Sequence, residues 1–386
     1  VRVCVLYDHV YPATAGGGEK WLHDVAAAVA AAGHDVTYVT MRHWEADGQP
    51  PAIPGVRVVG IAPAGAVYRD ERRRFGPPLR FGLAVARHLA RHGREYDVVH
   101  TAAFPYFPLI AAWALRRRGG YRLVVDWFEA WTARYWRGYA GAIGGTIGWA
   151  VQRASVALPQ TALCNSEHTA ARLRAEGGRM EIVVVPGLYA GPTDPSPHAR
   201  VEPLVVFAGR HVKEKRVPAL VRAFAAARAH LPDLRLELFG AGPEVEDVRR
   251  TVRELDLEEA VDQRGIRSRE EVDDAFARAA CVATASEREG YGLVVIEAAA
   301  RGTPSVVVRG PENAATDLVV DGINGVVAES ADPHVLGRAI VRAVEGGDAF
   351  RASTTRWFEQ HAVTARFDRS VEVVLTAYGV PPGGRS

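Results

Sequence analysis

At 386 residues the chain exceeds what a single hydrophobic core serves comfortably and suits two domains of ordinary size. Its 48% hydrophobic and 24% charged residues are those of a soluble globular chain, and no run approaches the roughly 18 apolar residues of a membrane span. A net charge of +2 argues against a nucleic-acid binder but hides an asymmetry: residues 1–192 hold 22 Lys+Arg against 15 Asp+Glu (+7), and the remainder 25 against 30 (−5).

The chain opens on an apolar run, Val1–Tyr7, with neither a basic leader nor a small-residue cleavage site, which reads as a buried strand and not a signal peptide. Further β-branched runs follow at Asp35–Thr40, Val56–Ile61, Asp97–His100, Arg122–Asp126, Ala162–Cys164 and Ile182–Val185. Helix-length segments lie between several of them; Glu19–Ala32, closed by Gly33, is the clearest. Strand and helix in alternation predict a parallel sheet covered on both faces.

Residues 186–203 break the pattern with five prolines and almost no apolar periodicity, and are the best linker in the chain. Alternation then restarts with a strand at Leu204–Ala208, a helix at Pro218–Ala229, a strand at Arg235–Phe239 and a helix at Pro243–Leu255. Two more strands are expected at Cys281–Thr284 and Ser305–Val308, and a frayed tail at PPGGRS. The reading is therefore α/β, with two Rossmann-like doubly wound domains, 1–190 and 191–386. Cys4, Cys164 and Cys281 are few and lie in or beside apolar runs, as buried thiols of a reducing cytoplasm would.

Only three of the 47 basic residues are lysine: Lys20, Lys213 and Lys215. In a chain so rich in Ala, Arg and Gly, as a GC-rich bacterial genome would produce, the surviving lysines are informative. Lys20 follows the glycine loop Gly16-Gly17-Gly18-Glu19, which runs into the first helix and could admit an anion to its N-terminus; a plain strand-to-helix turn is the alternative. Lys213 and Lys215 lie in GRHVKEK (209–215), after the first strand of the second domain, where Arg210 and Lys215 would suit a diphosphate. The segment SEREGYGLVVIE (286–297) places Glu289 and Glu297 eight positions apart across a glycine turn and a helix start. Glu289 is suited to sugar hydroxyls, Glu297 to a ribose, and the backbone N–H groups of Gly292, Leu293 and Val294 to phosphates.

These segments, with FGAGPE (239–244), DGINGVV (321–327) and Cys164-Asn165-Ser166-Glu167, resemble the family 4 glycosyltransferases, retaining enzymes of the GT-B fold, over nearly the whole chain. The resemblance implies two Rossmann-like domains facing each other across a cleft, the first for the acceptor and the second for a nucleotide-sugar donor, UDP-linked before GDP-linked. It leaves the last helix free to pack back on the first domain. It implies that Arg210 and Lys215 stabilise the departing diphosphate, with Glu289 on the donor sugar and Glu297 on the ribose. It also assigns the diphosphate to Gly16, Gly17 and Gly18, the turn Gly290, Tyr291 and Gly292 to the donor, and Arg267 to the base.

Many members carry a histidine after a first-domain strand, facing the donor sugar. Here Leu123–Trp131 has none, so Asp126 and Glu129 become candidates for orienting the acceptor, with His100 as a substitute for the missing group. Satisfying local N–H groups is the plain alternative for the two acids, and a structural role is the plainer one for His100. Trp131, Tyr135, Trp136, Tyr139 and Trp149, with the glycines among them, suggest core more than an acceptor pocket or a membrane contact, and the arginines from Arg69 to Arg94 are equally open.

No Asp-x-Asp triplet, H-E-x-x-H, paired C-x-x-C, P-loop or G-x-S-x-G elbow is present, so no metal or further cofactor is expected. The expectation is a metal-independent transfer with retention, to a hydroxyl of a small molecule such as an aminocyclitol in antibiotic biosynthesis. Alternatives are an envelope-lipid or polyprenyl acceptor with peripheral membrane contact, a non-catalytic nucleotide-sugar binder, an epimerase and, least, a dehydrogenase.

Overall fold

Strand–helix alternation produces two parallel sheets, each at the centre of its own unit. The computed structural model describes residues 1–14, 17–45, 47–65, 68–69, 72–73, 76–191 and 201–381. Gly16, residues 192–200 of the Pro-rich segment, Arg74 and residues 382–386 of the tail lie outside the described residues. One unit comprises Val1–Leu188 together with the chain from Phe367 onward; the other is Tyr189–Arg366.

The first unit holds strands β1 (Arg2–Leu6), β2 (Asp35–Arg42), β3 (Val56–Pro63), the short pair β4 (Tyr68–Arg69) and β5 (Arg72–Arg73), then β6 (Val98–Ala102), β7 (Arg122–Trp127), β8 (Thr161–Cys164) and β9 (Glu181–Val184). Its helices are α1 (Gly17–Ala31), α2 (Gly76–His92), α3 (Tyr106–Gly119), α4 (Ala133–Val156) and α5 (Glu167–Ala175). The seven-stranded sheet has the order β3-β2-β1-β6-β7-β8-β9, so the chain reverses direction across the sheet between β1 and β6. In α1, Trp21, Leu22, Val25, Ala26 and Val29 form the buried stripe, and Gly33, at φ +89°, ends the helix.

The second unit holds β10 (Glu202–Ala208), β11 (Arg235–Phe239), β12 (Val261–Gly265), β13 (Ala279–Ala283), β14 (Arg288–Glu289), β15 (Ser305–Val308), β16 (Glu312–Asn313) and β17 (Gly325–Ala328). Helices α6 (Val217–Arg228), α7 (Val245–Glu254), α8 (Arg269–Arg278), α9 (Leu293–Ala299), α10 (Pro333–Glu345) and α11 (Gly347–Ala362) surround it, and α12 (Phe367–Ala377) returns to the first unit. The six-stranded sheet runs β12-β11-β10-β13-β15-β17, with its reversal between β10 and β13. A Ser268–Glu271 capping box starts α8, and Asp332, followed by Pro333, starts α10.

The first unit ends at Leu188, where the sequence reading placed the change at 190. α12 is anchored within that unit: Phe367 meets Trp21 edge-on at 5.6 Å, and Arg122 Nη1 donates to the Ala377 carbonyl at 3.0 Å. All three cysteines are free and buried.

Candidate active site

In open α/β sheets a ligand sits beyond the carboxyl ends of the strands, at the point where strand order reverses. In the second unit this point lies between β10 and β13, and a recess of about 220 Å³ opens there. Phe207 and Ala208 from the end of β10, Lys215, Thr284 just after β13, and Glu289, Gly292, Leu293, Val294 and Glu297 line it. Five of the residues assigned to the donor from the sequence reading thus meet in one place, with Lys215 beside them.

The loop after β10 and the loop after β13 are stitched residue by residue. Lys215 Nζ forms an ion pair with Glu289 Oε1, to which Ser286 Oγ also donates at 2.8 Å. Glu214 Oε1 receives Arg288 Nη2 at 2.6 Å, and the Glu214 carbonyl accepts from the Glu287 amide at 2.8 Å. Arg216 Nε donates to the Ala285 carbonyl at 2.9 Å. Burial alone would raise the Glu214 carboxyl, yet the charge and hydrogen bond of Arg288, with Arg210 beyond, hold it below its ordinary range. Because Arg216 sits at φ +48°, the chain turns sharply into α6 after the 3-10 turn Lys213–Lys215.

A second layer supports both loops. Gly209 and His211 donate to the Phe239 and Ala241 carbonyls at 3.0 and 2.9 Å, so FGAGPE buttresses the GRHVKEK loop. Gly240, at φ +119°, is obligatory: a Cβ would lie 2.0 Å from the Gly209 carbonyl oxygen. On the other side, fully buried Asn313 donates to the carbonyls of Ser286 at 3.2 Å and Val308 at 2.8 Å and accepts from the Ala315 amide at 3.1 Å. Gly292 caps α9 at φ +96°, with Ala315 against it.

Several of the residues singled out in the sequence lie away from the recess. Arg267 lies 3.9 Å from Glu271, is 44% exposed and does not line the recess; Arg269 instead pairs with Glu297 and, at 3.0 Å, with Asp273. Ser268 caps α8, which leaves Arg267 outside the helix and puts Arg269 at its first position, beside α9. Arg210 is exposed and, like Gly290 and buried Tyr291, lies outside the lining. Two groups escaped the sequence reading. Thr284 Oγ1 is buried on the recess without a hydrogen-bond partner among the described residues; outside the lining, both ring nitrogens of buried His211, which meets Phe207 edge-on at 5.8 Å, also lack one.

In the first unit, Gly17 begins α1 with nothing within 4 Å of a notional Cβ, whereas a Cβ on Gly18 would lie 3.1 Å from the Phe128 ring. Lys20 pairs with Asp24 of the same helix at 2.6 Å.

The acceptor candidates are differently placed from what was expected. Asp126 is 2% exposed: Trp21 Nε1 donates to its Oδ2 at 2.9 Å, and His100 Nε2 lies 3.0 Å from the same oxygen. Burial, with the Asp126 charge adding, raises the Tyr378 hydroxyl well above its ordinary range, so it stays protonated and donates to His100 Nδ1 at 2.7 Å. Asp126 and His100 therefore form a buried linkage that ties β6 and β7 to α1 and to the residue after α12, the arrangement expected of the structural alternative given for each. Glu129 is half-buried and accepts from Trp131 Nε1 at 2.7 Å.

The aromatic segment is mainly core. Gln152 Oε1 accepts from Tyr106 Oη, the Trp131 amide and Trp136 Nε1 at 3.1, 3.0 and 2.9 Å, and its Nε2 donates to the Trp131 carbonyl at 2.8 Å. Among the described residues no group of three or more His, Cys, Asp or Glu could hold a metal ion, and no helix is long and apolar enough to cross a membrane.

Two parallel-sheet α/β units, one with a charged recess at its switch point, are the architecture of the GT-B fold. Residues 15–188 match the family described as "Glycosyltransferase Family 4", and residues 194–356 that described as "Glycosyl transferases group 1". The chain belongs to the family 4 glycosyltransferases. It is similar to a D-inositol 3-phosphate glycosyltransferase of Salinispora arenicola, at 28% identity over 98% of this chain and 91% of that one. It is also similar to a GDP-mannose-dependent alpha-(1-6)-phosphatidylinositol monomannoside mannosyltransferase of Mycolicibacterium smegmatis, at 28% identity over 66% and 70%. Among solved structures, the sucrose-phosphate synthase of Thermosynechococcus elongatus superposes with a TM-score of 0.81 at 20% identity, covering 98% of each chain. HepE of Anabaena, solved with UDP, superposes with a TM-score of 0.74 at 16% identity over 99% of this chain and 100% of that one.

Proposed function

We propose that this glycosyltransferase moves a sugar with retention from a nucleoside-diphosphate sugar, UDP-linked before GDP-linked, to a hydroxyl of a small cyclitol-type acceptor in bacterial natural-product biosynthesis. It needs neither a metal nor a further cofactor. The observation that carries the reading is the stitched loop pair, which brings Lys215, Glu289 and Glu297 to one recess. Lys215, with Arg210, neutralises charge developing on the departing diphosphate; one such preorganised contact is worth on the order of 3–4 kcal/mol, or about 10²–10³ in rate. Glu289 receives sugar hydroxyls and Glu297 the ribose. The D-inositol 3-phosphate transferase relative supports a cyclitol acceptor.

A second reading, an acceptor carried on an envelope lipid, is favoured by the phosphatidylinositol monomannoside mannosyltransferase relative.

The test is a thermal-shift panel of UDP, GDP, ADP and dTDP with their sugars, on the wild type and on Glu297→Ala. A ligand at about 100 times its dissociation constant stabilises by roughly 2.7 kcal/mol. One base should give a selective shift that Glu297→Ala weakens; no shift with any nucleotide refutes the donor reading. An anomerically inverted product, or activity abolished by chelator, refutes retention or metal independence respectively.

A further inference from the structure

The long helix α4 carries a feature that the donor site does not use. Gly141, at φ 75° and ψ 177°, breaks it into two limbs. The second limb lies so close on the first that a Cβ at Gly145 would be 2.3 Å from the Trp136 carbonyl oxygen, and one at Gly148 would be 2.4 Å from the Trp136 ring. Its inner face is thus occupied by Trp136 and buried Gln152. Its outer face shows Ile143, 79% exposed, and Ile147, 60% exposed, with Ala150 and Ala154 continuing the line. Spacings of four, three and four residues put these side chains on one stripe.

The exposed charges of α4 itself have one sign, and the nearby Glu176 carboxylate is taken up by buried Gln152, whose Nε2 donates to it at 3.0 Å. Between Glu129 and Glu167 the sequence contains no carboxylate, while Arg134, Arg137 and Arg153 are exposed. Arg153 lies over the half-buried Trp149 ring at 5.3 Å. Helix α3, which packs against α4, likewise carries no acidic residue and three arginines. An apolar stripe flanked by exposed arginines is the complement of an anionic lipid surface.

A second copy of the chain fits worse. A two-fold contact would bring the same arginines against each other. The limb is about 22 Å long and its stripe about 10 Å wide, roughly 200 Å², far below the about 800 Å² per partner of a stable interface.

We infer that the second limb of α4 lies in the plane of an anionic membrane surface, with Ile143 and Ile147 in the acyl boundary and the arginines at the phosphates. The inference does not depend on the donor reading, because α4 belongs to the first unit and the recess to the second.

The test is co-sedimentation of the full chain with phosphatidylcholine vesicles and with vesicles containing 30% phosphatidylglycerol. The phosphatidylglycerol vesicles should retain at least tenfold more protein, since each basic residue near such a surface contributes about fivefold. The double variant Ile143→Asp/Ile147→Asp should lower retention at least tenfold, as should Arg134→Gln/Arg137→Gln/Arg153→Gln. In both, the unliganded melting temperature should stay within about 2 °C of wild type, which separates lost docking from lost folding. No retention, equal retention on both vesicles, or variants that bind like wild type would overturn the inference. So would a dimer in light scattering that Ile143→Asp dissociates, which would assign the stripe to a second copy.

Discussion

Replacing Gly292 by alanine tests how the recess is held. Where the native backbone conformation suits an L side chain, Gly→Ala stabilises by about 0.4–1 kcal/mol, because it restricts the unfolded chain. Here the sign reverses. Gly292 has φ +96°, and a Cβ would lie 2.5 Å from Ala315 Cβ and 2.8 Å from Ala315 Cα. The left-handed conformation costs an alanine about 1–2 kcal/mol, and the overlap about 1–3 kcal/mol. The net is a loss of about 3 kcal/mol, which for a domain of this size lowers the melting temperature by about 6–12 °C. The strain also has a direction: moving Ala315 pulls on Asn313, which holds the Ser286 carbonyl, and Ser286 in turn donates to Glu289. Nucleoside-diphosphate affinity should therefore fall at least tenfold. The assay is calorimetric titration beside thermal unfolding, following the transition that nucleotide raises. An unchanged or raised melting temperature with intact affinity would refute the argument that contact with Ala315 positions the recess.

Three further outcomes follow from the same geometry. Lys215→Met and Glu289→Gln should be strongly non-additive, with a coupling of about 1–3 kcal/mol in nucleotide-dependent stability, since each leaves its largely buried partner uncompensated; additive losses would mean that the two act separately. Tyr378→Phe should cost about 1–3 kcal/mol by leaving the His100 ring nitrogen unpaired, and Asp126→Asn should lower stability as well as turnover. An Asp126→Asn variant of native stability and low turnover would return Asp126 to an acceptor role. Burial, and then the charge of His92, lowers the His88 imidazole to about 4. The unfolded chain therefore takes up this proton first, so the stability His88 contributes is present above about pH 6.5 and lost as pH falls from there to about 4. The drop in melting temperature between pH 7 and pH 5 should be smaller in His88→Gln, and an equal drop would refute the shift.

The two α/β units, the parallel alternation and the segments that line the recess were legible in the sequence because each is local. Apolar runs of strand length, a glycine closing α1 and the EGYG turn before α9 state their own conformation. Lys215, Glu289 and Glu297 stood out because residue type and spacing alone suggest phosphate, sugar and ribose contacts.

What the sequence could not reveal is which side chains meet. Lys215 and Glu289 were given separate tasks, yet β10 and β13 are neighbours in the sheet, so their loops pair. The pairing of Arg269 with Glu297 was likewise not legible, because it depends on the Ser268 cap that puts Arg269, and not Arg267, at the first position of α8. Asp126 looked like a group at a strand end open to ligand. It is closed by Trp21, His100 and Tyr378, which come from residues 21, 100 and 378 of the chain. Local propensity and spacing determine elements and candidate chemistry. Partnership between polar groups 74 or 278 positions apart is decided only when the sheet order and the returning α12 bring them within hydrogen-bonding distance.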